Sequence, residues 1–277
     1  MGRVETRMYK RKRQRARTLR WIVILLMLGG AAFLLWHNGH ASFIAEKIGL
    51  PTPTPVASAY DEKVETREVT LEEETWYAIQ TGVFSTQDAA LQKADAYAQR
   101  GAPGTVVQEG EKWRVFIACY GTETDASAVR TRLEQNQKVD TYLYAWKCPQ
   151  LRLRLTGKAG QLDAVEAGFT LLTSTAATLR DTATSLDAAQ LTTQEAIAAM
   201  SALDGQISLW EDTVRARFGK SVPTLMESML NITAHWDDRY ESLQTSEGAT
   251  ALSAALKSEA MGLFDEIIAW RSELAAQ

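Results

Sequence analysis

Side chains able to carry covalent or metal chemistry are sparse in this sequence, and their spacing does not assemble them. The three histidines are His37, His40 and His235. His235 stands in the run His235-Trp236-Asp237-Asp238 on an expected helix. Consecutive helical residues point to different sides, so that run does not converge on one ion. No Walker loop, zincin motif or paired-glycine nucleotide fingerprint occurs. Acids are numerous, but a glycosidase needs a placed pair, and no spacing singles one out. The chain is therefore read as non-enzymatic, with no cofactor and no metal.

What the sequence does concentrate is aromatic residues at alternating positions in three segments: Trp76 with Gln80, Arg114 with Phe116, and Tyr142 with Tyr144 and Trp146. If each segment is a strand, residues of like parity share one sheet face. Aromatic rings stack on the C–H faces of sugars, each contributing on the order of 1 kcal/mol, while Gln80 and Arg114 can hydrogen-bond hydroxyls and N-acetyl carbonyls. The same face could instead pack against the C-terminal region, and on residues alone both readings stay open. The opposite parity holds Ile79, Thr81, Val115, Ile117, Val139, Leu143 and Ala145, which suit a face covered by helices. Trp113 shares parity with Val115 and is read as a rim or core residue.

The elements that must position these residues form a near-repeat. Tyr77-Ala78-Ile79-Gln80-Thr81-Gly82-Val83-Phe84 returns 36 positions later as Trp113-Arg114-Val115-Phe116-Ile117-Ala118-Cys119-Tyr120, and each copy leads through a polar turn into an Asp/Ala-containing helical pattern. A strand over Trp76–Phe84 precedes a helix that Gly101 and Pro103 stop near Arg100. Thr105–Gln108 and Trp113–Tyr120 flank a Glu109-Gly110-Glu111 hairpin turn, a helix follows from Thr124 to about Gln135, and Val139–Trp146 closes the sheet. The order βαββαβ predicts an α+β ferredoxin-like domain with internal pseudo-twofold symmetry.

Residues 75–148 resemble a SPOR domain (sporulation-related repeat). The family's first half reads Tyr-x-Val-Gln-x-Gly-x-Phe-Ser, matched here by Tyr77 to Ser85; its second half reads aromatic-Arg-Val-x-x-Gly-x-Phe, matched by Trp113 to Tyr120 with Ala118-Cys119-Tyr120 in place of Gly-Pro-Phe. The resemblance covers roughly a quarter of the chain. It implies binding to bacterial peptidoglycan glycan, above all strands stripped of stem peptides at division or sporulation septa. Under it, Trp76, Gln80, Arg114, Phe116, Tyr142, Tyr144 and Trp146 are the candidate glycan-binding residues, on a sheet face that no helix of the domain is left to cover. RNA-recognition modules share the βαββαβ order, but their Lys/Arg-Gly-aromatic-Gly/Ala-Phe signature is absent from the third strand and the region is acidic. No nucleic-acid partner is expected.

The two cysteines are Cys119, ending the third of these strands, and Cys148, following the fourth. In a ferredoxin-like sheet of order 4-1-3-2 the first strand separates them, beyond the ~7 Å Cα distance that a disulfide allows. Two free thiols are expected, with Cys119 buried.

Charge sets the remaining organisation. Residues 1–20 carry nine Lys/Arg against one acid, so the net charge of −4 resolves into +8 there and −12 elsewhere. Trp21 to Trp36 contains no charged residue. Sixteen helical residues span about 24 Å, and Leu19 with a snorkelling Arg20 makes up much of the ~30 Å hydrocarbon core. We expect a basic cytoplasmic tail (1–18), an uncleaved transmembrane helix (19–36) and an extracytoplasmic remainder in a bacterial cell membrane. The rival, a cleaved signal peptide, lacks a small-x-small cleavage site. Residues 37–74 read as a Pro/acid-rich linker with a reach of about 30–35 Å, and 149–157 as a connector in which Leu151–Thr156 is a strand or a linker.

From 158 to 277 the apolar period becomes helical. Runs through Leu162 to Leu186, Met200 to Val214, Leu225 to Leu243 and Leu256 to Leu274 predict an all-α antiparallel four-helix bundle with Trp210, Trp236 and Trp270 in its core. Two functions follow: a membrane-anchored, non-catalytic peptidoglycan-binding protein of the septum, or an envelope adaptor whose bundle recruits a septal protein while the SPOR-like domain only localises it.

Overall fold

The computed structural model describes residues 63–276, which fall in one compact unit spanning Ala59–Gln277. The basic tail, the expected span over 19–36 and most of the linker lie outside the described residues. Among the described residues, no helix is long and apolar enough to cross a membrane.

Strands β1 (Val64–Leu71) and β2 (Glu74–Phe84) precede α1 (Gln87–Ala98), β3 (Thr105–Glu109), β4 (Lys112–Tyr120), α2 (Glu123–Gln137), β5 (Tyr142–Cys148) and β6 (Leu151–Lys158). Helices α3 (Ala159–Asp187), α4 (Thr193–Phe218), α5 (Thr224–Thr233), α6 (Trp236–Gln244) and α7 (Gly248–Ala275) complete the described chain. β2 to β5 form an antiparallel sheet of order β3-β4-β2-β5, the expected ferredoxin-like order. α1 and α2 begin at threonines whose hydroxyls accept from the Ala89 and Asp125 amides, supplying two of the orphan helix-terminal donors with partners. After α1 the chain turns through Gly101 at φ 79°, the left-handed conformation that glycine tolerates, as the sequence predicts. Gly104 then passes so close to α1 that a Cβ there would lie 2.3 Å from the Ala94 carbonyl oxygen.

Parity assigns the helix-covered face correctly along most of the sheet. Ile79 and Ile117 pack with Tyr97 and Ala126, and Val115 packs with Ala90 and Ala94. It slips at a bulge. Ile79 pairs with Ala118 but Gln80 pairs with Phe116, so Ile117 is left over and both Ile117 and Ala118 join the same cluster. Ala145, expected on the covered face, is exposed.

Two stretches read as linker or connector form a second sheet. β1 pairs with β6 from Val64↔Lys158 to Leu71↔Leu151, and β2 with β5 from Glu74↔Cys148 onward, so the two pairings follow each other along the chain with the ladder interrupted at Glu72-Glu73 and Pro149-Gln150. At the interruption the buried Arg271 of α7 donates to the Glu72 carbonyl at 2.8 Å and the Pro149 carbonyl at 3.2 Å. These carbonyls lie outside both ladders, and an internal donor replaces water there.

The helical region departs from four helices. The third expected helix is two, α5 and α6, interrupted between Thr233 and Trp236, while Met229, Ile232 and Trp236 keep their apolar spacing and all three are buried. α4 opens with a capping box in which Thr192 and Glu195 exchange backbone and side-chain hydrogen bonds. The three tryptophans are core residues, as expected: Trp210 donates to the Ala164 carbonyl at 2.8 Å, Trp270 to the Ser228 hydroxyl at 2.9 Å, and Trp236 is buried.

The main difference from expectation is where the core sits. Trp76, Ala78, Val107, Phe116, Cys119, Trp146 and Cys148 of the sheet belong to the same cluster as the apolar seams of α3 to α7. The sheet therefore has helices on both faces, α1 and α2 on one, α3 and α7 on the other. An aromatic face of this size is costly to leave in water at about 25 cal/mol per Å², and the β1–β6 ribbon returns the chain to where α3 starts beside it.

Candidate functional site

The seven candidate residues fall into two groups on one sheet face. Trp76, Phe116 and Trp146 are buried, which corrects the expectation of an uncovered aromatic surface. Trp76 stacks on Phe264 of α7 with ring centroids 4.0 Å apart, and its Nε1 donates to Glu74 at 2.6 Å. Trp146 meets Phe264 edge-on at 5.2 Å and Phe116 at 5.1 Å. The physical reason is a shared preference: the π-faces that suit a sugar suit another aromatic ring equally well.

The other four residues gather at the end of the face that the helices leave partly open. Gln80, Arg114 and Tyr144 come from β2, β4 and β5 and meet as parity predicts. Arg114 donates from Nη1 to the Gln80 side-chain oxygen at 2.7 Å, and its guanidinium carbon lies 4.5 Å from the Tyr144 ring centroid. Gln80 is only 8 % exposed, because it pairs with Phe116 on one side and Tyr142 on the other. Tyr142 is 63 % exposed, the most open ring of the set, and Tyr144 is half-buried.

Sequence reasoning missed a fifth member, Glu109, which it left in the hairpin turn. Glu109 ends β3, accepts from Arg114 Nε at 2.6 Å and accepts from the Tyr144 hydroxyl. The signal was available: Glu109 has the parity of Val107, and Val107 pairs with Arg114. The Tyr144 hydroxyl and the adjacent Arg114 hold the Glu109 carboxyl below the usual carboxylate range. Burial first, and then the hydrogen bond to Glu109, pushes the Tyr144 phenol up to about 12.

The cluster is thus ionised Glu109 and Arg114 beside a neutral phenol, with Gln80 fixing the guanidinium from below. Arg114 is engaged by Glu109 and Gln80 through Nε, Nη1 and Nη2, and five guanidinium N–H groups give it donor capacity beyond those two partners, while the carboxylate retains acceptor capacity. Donors and acceptors beside an aromatic surface suit a neutral polyhydroxylated ligand. Among the described residues no group of three His, Cys, Asp or Glu side chains is placed to hold a metal ion. Cys119 and Cys148 are free, as the strand order implies; Cys119 is buried as expected, and Cys148 is buried as well.

No curated protein and no solved structure matches the chain. The family model of the SPOR domain matches residues 68–145, from within β1 to within β5, so the sheet that carries this cluster is a SPOR domain.

Proposed function

We propose that this chain is a non-catalytic peptidoglycan-binding protein of the bacterial envelope, with the open edge of its SPOR sheet as the glycan contact. The observation that carries the reading is the convergence of Gln80, Arg114, Glu109 and Tyr144 from four strands beside the exposed Tyr142. A SPOR domain suggests peptidoglycan as the ligand class. Tyr142 offers a ring to a sugar face, while Arg114 and Glu109 offer a donor and an acceptor to hydroxyl and acetamido groups. Peptide-free strands are the preferred form, as the resemblance to SPOR domains implies. The basic residues 1–18 and the apolar run 19–36 support a single-pass anchor with the SPOR domain outside the membrane, and septal enrichment follows from where peptide-free glycan arises. Occupation of the aromatic face by the chain's own helices favours a second reading, in which the SPOR sheet is a platform for an adaptor that recruits a septal protein.

Calorimetric titration of peptide-free glycan strands into the chain separates the two. Tyr142→Ala and Arg114→Ala should each weaken binding by about 1–3 kcal/mol. Tyr142→Ala should leave the melting temperature nearly unchanged, because an exposed ring contributes little to the core. Affinity equal to the parent's in both variants would move the contact away from this edge, and no heat from the parent would favour the adaptor.

A further inference from the structure

The open edge is only one end of a longer aromatic strip. Phe116 contacts Tyr144 at 5.4 Å and Trp146 at 5.1 Å, and Trp146 and Trp76 both contact Phe264, so the rings run continuously from the open edge into the core. The buried end is held by groups from outside the SPOR match. Phe264 of α7 lies flat on Trp76 with the planes 3° apart, and the guanidinium carbon of Arg180 on α3 lies 4.5 Å from the Trp76 ring centroid. A ring in such contact cannot stack on a ligand at the same time, so helix and ligand exclude each other on this part of the strip.

We infer that α3 and α7 form an autoinhibitory cap: in the closed chain a glycan reaches the Gln80–Arg114–Tyr144 edge, and engages the Trp76–Phe116–Trp146 strip only when the helices leave the sheet. The inference rests on the glycan-binding reading above and assigns that site its regulation. The β1–β6 ribbon joins sheet and helices, and beside it Arg271 latches α7 to the Glu72 and Pro149 carbonyls, so opening requires that latch to release. A ligand for the open form binds with its affinity reduced by the fraction open, so weakening the cap tightens binding without adding any ligand contact.

The molecule carries its own reporters of opening. Cys119 and Cys148 lie in the cluster beneath the cap, both free and buried. Burial pushes their thiols up to about 12 and about 11, so they are protected in the closed form both sterically and as thiols.

The test uses the full chain in mild detergent, peptide-free glycan strands and a thiol-reactive maleimide. Phe264→Leu and Arg180→Met weaken the cap and leave every residue of the strip in place. Both should label faster at Cys119 and Cys148 and bind glycan about three- to thirtyfold more tightly, the range expected for losing one ring or cation–π contact from the closed state. Tyr142→Ala should bind more weakly with labelling unchanged. Should Phe264→Leu lose its cooperative melt, Arg180→Met decides by the same two readouts. Faster labelling with the parent's affinity would overturn the cap while the glycan reading stands. Unchanged labelling and affinity would show a permanently closed face, which also overturns it. Absence of glycan binding in the parent and in a variant with exposed thiols would remove the glycan reading itself.

Discussion

If the SPOR sheet and the helices share one core, a change on α7 must be felt by the sheet. Phe264 and Trp76 provide the sharpest case, because both are essentially fully buried and stack at 4.0 Å. Truncating either to alanine should cost about 3–5 kcal/mol from lost transfer energy and the cavity left behind. The double truncation would then approach the whole stability of a domain, commonly 5–15 kcal/mol. The milder pair Phe264→Leu and Trp76→Leu, at roughly 2–3 kcal/mol each, removes each ring in turn and leaves a smaller cavity than alanine. Removing either partner abolishes the same stacking contact, so the double variant should lose less than the sum of the singles. The expected coupling is about 0.5–1.5 kcal/mol, the aromatic-pair term. Urea unfolding followed by far-ultraviolet circular dichroism measures this, with a single transition expected for all four proteins. Rare opening of the cap is compatible with that, being a sub-global event below the unfolding free energy. Strict additivity, or separate transitions for sheet and helices, would refute the shared core.

Two further predictions concern single positions. A Cβ at Gly168 would lie 2.3 Å from the Met229 methyl carbon and 2.6 Å from the Trp210 ring, so Gly168→Ala should destabilise by about 1–3 kcal/mol despite alanine's better helix propensity, as read by chemical denaturation. Asp265 on α7 is pushed up to about 6, first by burial and then by the neighbouring Glu266. Folding therefore favours its protonated form, and its contribution falls as pH rises from the ordinary carboxylate range through about 6. Asp265→Asn should accordingly raise stability at neutral pH by about 1 kcal/mol, after allowing for solvent screening, and change it little below pH of about 4, in melts across that range.

Much of the sheet was legible because period-two alternation and turn residues act locally. Gly101, the Glu109-Gly110-Glu111 hairpin and the apolar parity of Ile79 and Val115 sufficed for strand order, for the covered face and for keeping Cys119 away from Cys148. The β1–β6 ribbon was not legible, since its inward positions on β1 are Glu65, Arg67, Val69 and Leu71, only half of them apolar. Arg67 is tolerated there because Glu65, Asp163 and Glu166 surround it and raise its pKa still further, and two of those acids stand on α3, far along the chain. The break between α5 and α6 was hidden for another reason: the apolar spacing continues across it. The covered aromatic face marks the limit of residue types as evidence. Trp76 and Trp146 have the chemistry of a sugar platform and of a core in equal measure, and only the position of Phe264 distinguishes them. At the open edge, by contrast, parity brought Gln80, Arg114 and Tyr144 together correctly and needed only Glu109 added.

The central claim, that the open edge of this SPOR sheet takes peptide-free glycan, is tested most directly by co-sedimentation of the full chain with sacculi before and after enzymatic removal of the stem peptides. Removal should increase the sedimenting fraction of the parent, and Arg114→Ala should lose the increase because it removes the charge-assisted donors at the edge. Equal sedimentation of parent and Arg114→Ala with peptide-free sacculi, or a parent that stays in the supernatant with both preparations, would contradict it.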